Sequence, residues 1–275
     1  MAALRNRMED FLADWRNDLP NGWLDVFNEI EPDLASIPQN IQIDIAIPVF
    51  PGRRNNPIGG APHGAHLFRA FDGIERNGVR VVVLGRDPYP VLHSATGRAF
   101  EDGAWNGEPT QLADSLKCLV QSAITTNGAE LAVPDDTANW PAVRQAVQRG
   151  QVVLPQLDAY FNGLAQQGVL FVNSSLTRTR EEDFKHHLAL WKPFLNALIR
   201  NLSSDQNVPV VFLLLGEDAQ RRFCSAEPLM RNSALVSNAH PSRAQHYYKT
   251  SNPLLRTNTA LMELGADEIV WWPQV

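Results

Sequence analysis

The stretch Val81–Phe100 reads VVVLGRDPYPVLHSATGRAF, and its first five positions decide the fold. Val81, Val82, Val83 and Leu84 ahead of Gly85 make a short apolar, largely β-branched run of the kind buried on both faces of a sheet. The break into Gly85-Arg86-Asp87-Pro88-Tyr89-Pro90 ends that strand, because proline cannot continue a ladder and holds its φ at about −65°. The expected result is a stiff turn that presents a carboxylate, Asp87, and a phenol, Tyr89, at the carboxyl end of a central strand. In open α/β sheets that edge is where ligands bind. Read singly, the same residues describe an ordinary strand followed by a tight turn.

Working outward, three more apolar runs follow, Gly168–Asn173, Val208–Leu215 and Ser233–Asn238. Helical spacing fills the intervals, over Phe184–Leu202 (Trp191, Phe194, Leu195, Leu198) and around Pro141–Gln148. A helix also begins around Thr110–Asp114, after a loop with Trp105 and Pro109. Strands alternating with helices predict right-handed crossovers and an α/β fold, a three-layer α/β/α arrangement on a central four-stranded parallel sheet. Such a sheet gathers Asp87, Asn173 and His240, remote in sequence, at one edge.

Upstream, the spacing predicts helices over Arg5–Trp15 (Met8, Phe11, Leu12, Trp15) and Trp23–Leu34 (Trp23, Val26, Phe27, Ile30), parted by Pro20-Asn21-Gly22. A proline- and glycine-rich connection from Ile37 to Ala61 precedes a further helix near His63–Asn77. The expected organisation is one domain over residues 1–275, with an N-terminal helical extension to about residue 78 and an insertion at about 125–160.

Composition narrows the function classes. A chain of 275 residues with 44% hydrophobic and 20% charged residues has the make-up of an ordinary globular protein with a sizeable core. It has no apolar run of about eighteen residues, so no membrane span is expected. MAALRNRMEDFLADW carries acids early and lacks an apolar core with a small-residue cleavage site, so no targeting signal is read and a cytoplasmic location is expected. Cys118 and Cys224 lie far apart, which argues for reduced thiols, and two cysteines cannot by themselves hold an iron–sulfur cluster. His186 and His187 have no third ligand in view and read as surface or nucleic-acid-facing residues; no metal and no cofactor are expected. The net charge of −6 runs against phosphate contact. Arg178, Arg180, Lys185, Arg243, Lys249 and Arg256 nevertheless fall in or just after the candidate loops, which predicts a local positive groove on a negative body.

Three segments in order carry a family resemblance: GRDPY followed by GRAF (Gly85 to Phe100), GVLFVNSSLT with Asn173 to Thr177, and His240-Pro241-Ser242. Together they resemble the signature segments of the uracil-DNA glycosylase superfamily, closest to the family 1 enzymes, whose first motif reads G-Q-D-P-Y-H with a G-x-A-F beyond it. The resemblance implies a monofunctional DNA-repair enzyme that flips uracil out of single- or double-stranded DNA and hydrolyses its N-glycosidic bond. Free uracil and an abasic site would be the products, and the protein would act as a monomer without a membrane or cofactor. No Schiff-base lysine stands at the site, so strand cleavage is not expected.

By the same resemblance, Asp87 stabilises an oxocarbenium-like sugar and orients a water, and neutral His240 donates to uracil O2 as charge builds there. Arg86 lends its main chain to the base pocket. Asn173 matches O4 and N3–H, and rejects the amino group of cytosine. Phe100 stacks on the base, and Tyr89 fills the space beside C5, where the methyl of thymine would clash. Ser115, at a helix start, touches DNA phosphate, and Ser242 belongs to the DNA-binding set.

The chain also departs from that pattern. Pro90 stands where the family has histidine, and Val91-Leu92-His93-Ser94 replaces Gly-Pro-Gly-Gln. His240-Pro241-Ser242-Arg243-Ala244 carries an alanine where the family's wedge leucine enters the helix, and alanine is too small to fill a vacated base site. Arg243 or Gln245 is the expected replacement. HYYKTSNPLLRTN lacks the family's Phe-Gly-Cys pattern, so complementarity to family-specific protein inhibitors is not implied. Two other functions fit the same residues: a protein that grips uracil or abasic DNA with little turnover, and a glycosylase for another deaminated or damaged base such as hypoxanthine.

Overall fold

The computed structural model describes residues 1–105, 107–109, 111–127 and 134–272. A two-residue pairing of β1 (Ala2–Ala3) with β2 (Gln42–Ile43) brackets α1 (Leu4–Leu12) and the single helical turn α2 (Leu24–Phe27). Then come β3 (Val81–Gly85), α3 (Asp114–Ile124), α4 (Trp140–Gln148), α5 (Leu157–Gln166) and β4 (Val169–Asn173). The remainder is α6 (Phe184–Leu190), α7 (Lys192–Ser204), β5 (Val210–Leu215), α8 (Glu217–Ser225), β6 (Ser233–Asn238), α9 (Ala244–Tyr247) and α10 (Pro253–Glu263).

The sheet is four-stranded and all parallel, in the order β4-β3-β5-β6, as the alternation of strands and helices predicts. Side chains leave successive strand residues on opposite faces, and the core follows that rule. Val82, Leu84, Leu170, Val172, Phe212 and Leu214 face one apolar cluster with Trp23, Phe27, Phe68, Phe71 and Phe194. Val81, Val83, Val169, Phe171, Val211 and Leu213 face the other, with Leu116, Phe161, Leu261 and Trp271. The N-terminal residues Leu4, Met8, Trp23 and Phe27 thus share a core with the sheet. Among the described residues no helix is long and apolar enough to cross a membrane.

Several helices are shorter than their spacing predicts. Residues 63–78 form no α-helix, only the 3₁₀ turns Arg69–Phe71 and Arg76–Gly78. Gly64 (φ 69°) and Gly73 (φ 73°) adopt left-handed backbone that a right-handed helix cannot contain, while Phe68 and Phe71 still reach the core. The Trp23–Leu34 expectation shrinks to α2, with Pro32 blocking extension from the far side. The Phe184–Leu202 helix divides at Trp191, because Pro193 is accommodated in the first turn of α7 and not within a continuous helix. Thr110 and residues 128–133 of the expected insertion lie outside the described residues; α4 occupies the part around Pro141–Gln148.

Candidate active site

The loops that leave β3 and β4 are fastened to each other. Gly85 pairs with Asn173 at the last rung of the parallel ladder. Beyond it, Ser174 donates to the Gly85 carbonyl from both its backbone nitrogen and its Oγ, each at 2.9 Å, and the Ser175 amide donates to the Arg86 carbonyl at 3.0 Å. Only glycine fits at position 85: a Cβ there would lie 2.4 Å from Asn173 Oδ1 and 2.8 Å from Ala99 Cβ. The Ala99 amide donates to the Phe171 carbonyl at 3.2 Å, which draws Phe100 to the same edge. Phe100 is held there with φ 65°, a left-handed conformation costing a non-glycine residue about 1 kcal/mol or more. Asn173 is only 3% exposed, yet its carboxamide has no hydrogen bond among the described residues. An almost buried amide with open donors and acceptor is able to pair with a complementary polar edge.

Asp87 lies beside them under heavy pairing. Arg178 donates through Nη1 to Asp87 Oδ2, and Arg86 Nε lies 3.5 Å from Oδ1. Glu181 bridges the two arginines, accepting from Arg178 Nη2 and, at 3.2 Å, from Arg86 Nη2. The Arg86 guanidinium also covers the Phe184 ring at 4.1 Å and approaches Asp218 at 3.8 Å. Burial pushes the Asp87 carboxyl above its usual range, and the two arginines oppose that rise.

His240 arrives from the end of β6. Asn238 holds that loop: its Nδ2 donates to the Tyr247 carbonyl at 3.0 Å, and Arg256 donates to its Oδ1 at 3.3 Å. Gly216 (φ 101°) makes room for the histidine, since a Cβ there would meet His240 Cβ at 3.0 Å. The Ser242 amide can only donate, and it points at His240 Nδ1 at 3.2 Å, with Ser242 Oγ at 2.7 Å. Nδ1 is therefore the acceptor, and in the neutral ring the proton sits on Nε2. Burial, reinforced by Arg86 and Arg243, lowers the His240 pKa and favours that neutral form. Its ring lies 5.9 Å from Phe100, centroid to centroid, beside a cleft of about 370 Å³ lined by Arg86, Gly216, Asp218, His240, Ser242 and Arg243.

The sequence-based candidates therefore meet at one edge of the sheet. Tyr89 Oη donates to the Phe100 carbonyl at 3.2 Å and lies 3.5 Å from Ser115 Oγ, in the first turn of α3. Burial raises the Tyr89 pKa, so the phenol stays protonated. Arg243 and Gln245 are exposed at the start of α9.

The expected groove needs correction. Arg178 is buried against Asp87, Arg180 pairs with Asp183, and Arg256 serves Asn238 and the Ser237 carbonyl. Lys185, Arg243 and Lys249 remain exposed without an ion pair among the described residues. The histidine pair is corrected too. His187 is 1% exposed and lies between Thr177 Oγ1 (2.9 Å) and Thr179 Oγ1 (2.8 Å), with its pKa lowered by burial to about 4. Among the described residues no cluster of three or more His, Cys, Asp or Glu side chains is placed to hold a metal.

Reading the sequence for motifs missed Arg178, Glu181, Phe184 and Gly216. The one available signal is an arginine directly after Leu176-Thr177, which the sequence assigns to the expected positive groove and not to Asp87.

A parallel four-stranded α/β/α sheet with an acid, an amide and an imidazole on its strand-end loops defines the class of this molecule. The family model described as the uracil DNA glycosylase superfamily matches residues 72–262, more than half of the chain, and the protein belongs to that superfamily. Its relatives include the uracil-DNA glycosylase of Mycobacterium avium, 28% identical over 254 residues that cover 91% of this chain and 93% of the relative. The uracil-DNA glycosylase of Lacticaseibacillus casei is 29% identical over 212 residues, 76% of this chain and 79% of the relative. The crystal structure of mimivirus uracil-DNA glycosylase has the same fold, with a TM-score of 0.61 at 17% identity over 98% of this chain and 94% of that one.

Proposed function

We propose that this protein is a monofunctional uracil-DNA glycosylase of base-excision repair, acting on uracil-containing DNA as a monomer in the cytoplasm, with residues 1–275 forming one catalytic domain. The observation that carries the reading is the pairing of opposites: a buried carboxylate at Asp87, and across the edge a neutral His240 with its proton on Nε2. Breaking the bond from C1′ to the base leaves positive charge on the sugar and sends the electron pair into the uracil ring. Asp87 faces the first charge and His240 Nε2–H the second, a preorganised donor worth a few kcal/mol, about 10²–10³ in rate. Water adds its oxygen to C1′ and gives a proton to Asp87, while the uracil anion departs and takes a proton from solvent. In this reading Asn173 and Phe100 hold the base, Tyr89 excludes a C5 methyl, and Arg86 contributes its backbone. Ser115, Ser242, Arg243 and Gln245 meet the DNA strand.

The test is release of free uracil from a uracil-containing oligonucleotide, in single- and double-stranded form. Asp87→Asn is expected to lower the rate about 10³-fold, and no release by the wild-type protein rejects the reading. The arginine pairing on Asp87 favours a second one, a protein that holds uracil or abasic DNA with little turnover. Tight binding of uracil DNA without base release selects it, and a panel of lesions tests hypoxanthine and damaged uracil as other bases.

A further inference from the structure

Asp87 faces two demands that conflict. Burial drives a carboxyl to protonate, yet only the ionised form stabilises a cationic sugar. The nearby charges form a linked set. Arg86 comes from the Asp87 loop, Arg178 and Glu181 from the loop after β4, and Asp218 from α8; His240, neutral, faces the set from the end of β6. Arg221, also on α8, pairs with Asp218 at 2.5 Å and with Glu217 at 3.3 Å, so three guanidiniums stand against four carboxylates and the set keeps one net negative charge.

Arg178 is fixed in place. Its backbone amide and carbonyl bond the carbonyl and amide of Phe50 at 2.8 and 3.0 Å. Its neighbours Thr177 and Thr179 grip the buried ring of His187 from both sides, and Trp191 Nε1 donates to Thr177 Oγ1 at 2.7 Å. Arg178, 6% exposed as a residue, is thereby held beside Asp87. Its guanidinium opposes the protonation that burial favours at Asp87, but its charge also opposes a cation forming nearby. Glu181, on the other terminal nitrogen, offsets that charge.

We infer that Arg178 and Glu181 are a positioning pair for Asp87: Arg178 fixes the carboxylate and holds it ionised, and Glu181 neutralises Arg178, so that the acid still presents negative charge to the sugar. The inference rests on the excision reading above, and it makes a signed claim. Removing Arg178 takes a cation from Asp87 and must raise its pKa; removing Glu181 takes away an anion and must lower it.

The experiment measures single-turnover uracil release against pH for the wild type, Arg178→Met, Arg178→Lys and Glu181→Gln, alongside a ¹³C NMR titration of the Asp87 carboxyl in the same proteins. Arg178→Met is expected to move the acid limb up by about 1–3 pH units, and Arg178→Lys, which keeps the charge, to restore it toward the wild type. Glu181→Gln moves the limb down and lowers the plateau rate. Glu181 is exposed, so its variant gives a result even where Arg178→Met does not fold. Acid limbs that coincide, or that move the same way in Arg178→Met and Glu181→Gln, overturn the inference. If the wild type releases no uracil, the excision reading fails and the titration decides alone: opposite shifts uphold the pair and coincident curves remove it.

Discussion

The site has an acid half and an imidazole half, built differently. The acid half hangs on β3 and β4, strands whose every residue is buried, and its loops are fastened rung by rung past the end of the sheet. The imidazole half hangs on β6, an edge strand in which only Val236 and Asn238 are buried, and one asparagine side chain secures much of its loop. Arg243, Gln245 and His246 stand exposed beside it. The contrast teaches where this chain tolerates change. The acid half is locked into the core, whereas Arg243 and Gln245, proposed to meet DNA, sit on a lightly tethered edge; the sequence departs from its family's pattern in both halves, at Pro90–Ser94 and at Arg243–Ala244.

Five substitutions put that comparison under strain, from the largest expected effect to the smallest. His240→Ala removes the donor proposed to face the leaving base and is expected to slow uracil release about 10²–10³-fold without lowering the melting temperature, because the edge half is thinly packed. A large loss of stability would show that this half is also core. Gly85→Ala makes the opposite test. Its new methyl lies on Asn173 Oδ1 and Ala99, so it should cost about 1–3 kcal/mol in denaturant unfolding and weaken binding of free uracil. An unaffected protein would mean that the two loops are not locked together.

His187 supplies a third prediction, through its depressed pKa of about 4. The unfolded chain binds the proton near pH 6.5 while the folded one refuses it, so stability falls as pH drops through that window. About 2 kcal/mol should be lost between pH 7 and pH 5. His187→Gln should flatten the slope while weakening the fold throughout, as read by urea denaturation at the two pH values. Last, Arg243→Ala or Gln245→Ala is expected to reduce release from duplex DNA several-fold, about 1 kcal/mol, and to leave single strands alone. Equal duplex rates in both variants would remove them as wedge substitutes.

Much of the acid half was legible in the sequence because its logic is local. An apolar run marks a buried strand, prolines stop it, and the next polar residue is presented at its end; the same reading placed Asn173 and His240. The helix expected over His63–Asn77 failed because apolar spacing reports burial and not backbone shape: Phe68, Phe71 and Ile74 are buried from a chain that two left-handed glycines keep out of a helix. Arg178 was misread for a different reason. Its partner Asp87 lies 91 positions away, and no count of charges along a chain shows which of them face each other. Gly85 and Gly216 are similar, since only the assembled fold shows what a Cβ there would strike.

The most direct test of one shared site is a crystal structure of the protein with free uracil. The expected complex has the Asn173 carboxamide bonded to O4 and N3, His240 Nε2 donating to O2, and the ring flat against Phe100, with Asp87 still held by Arg178 below the base. Uracil bound elsewhere, or an empty edge at saturating uracil with Arg86 lying across Asn173, would contradict it.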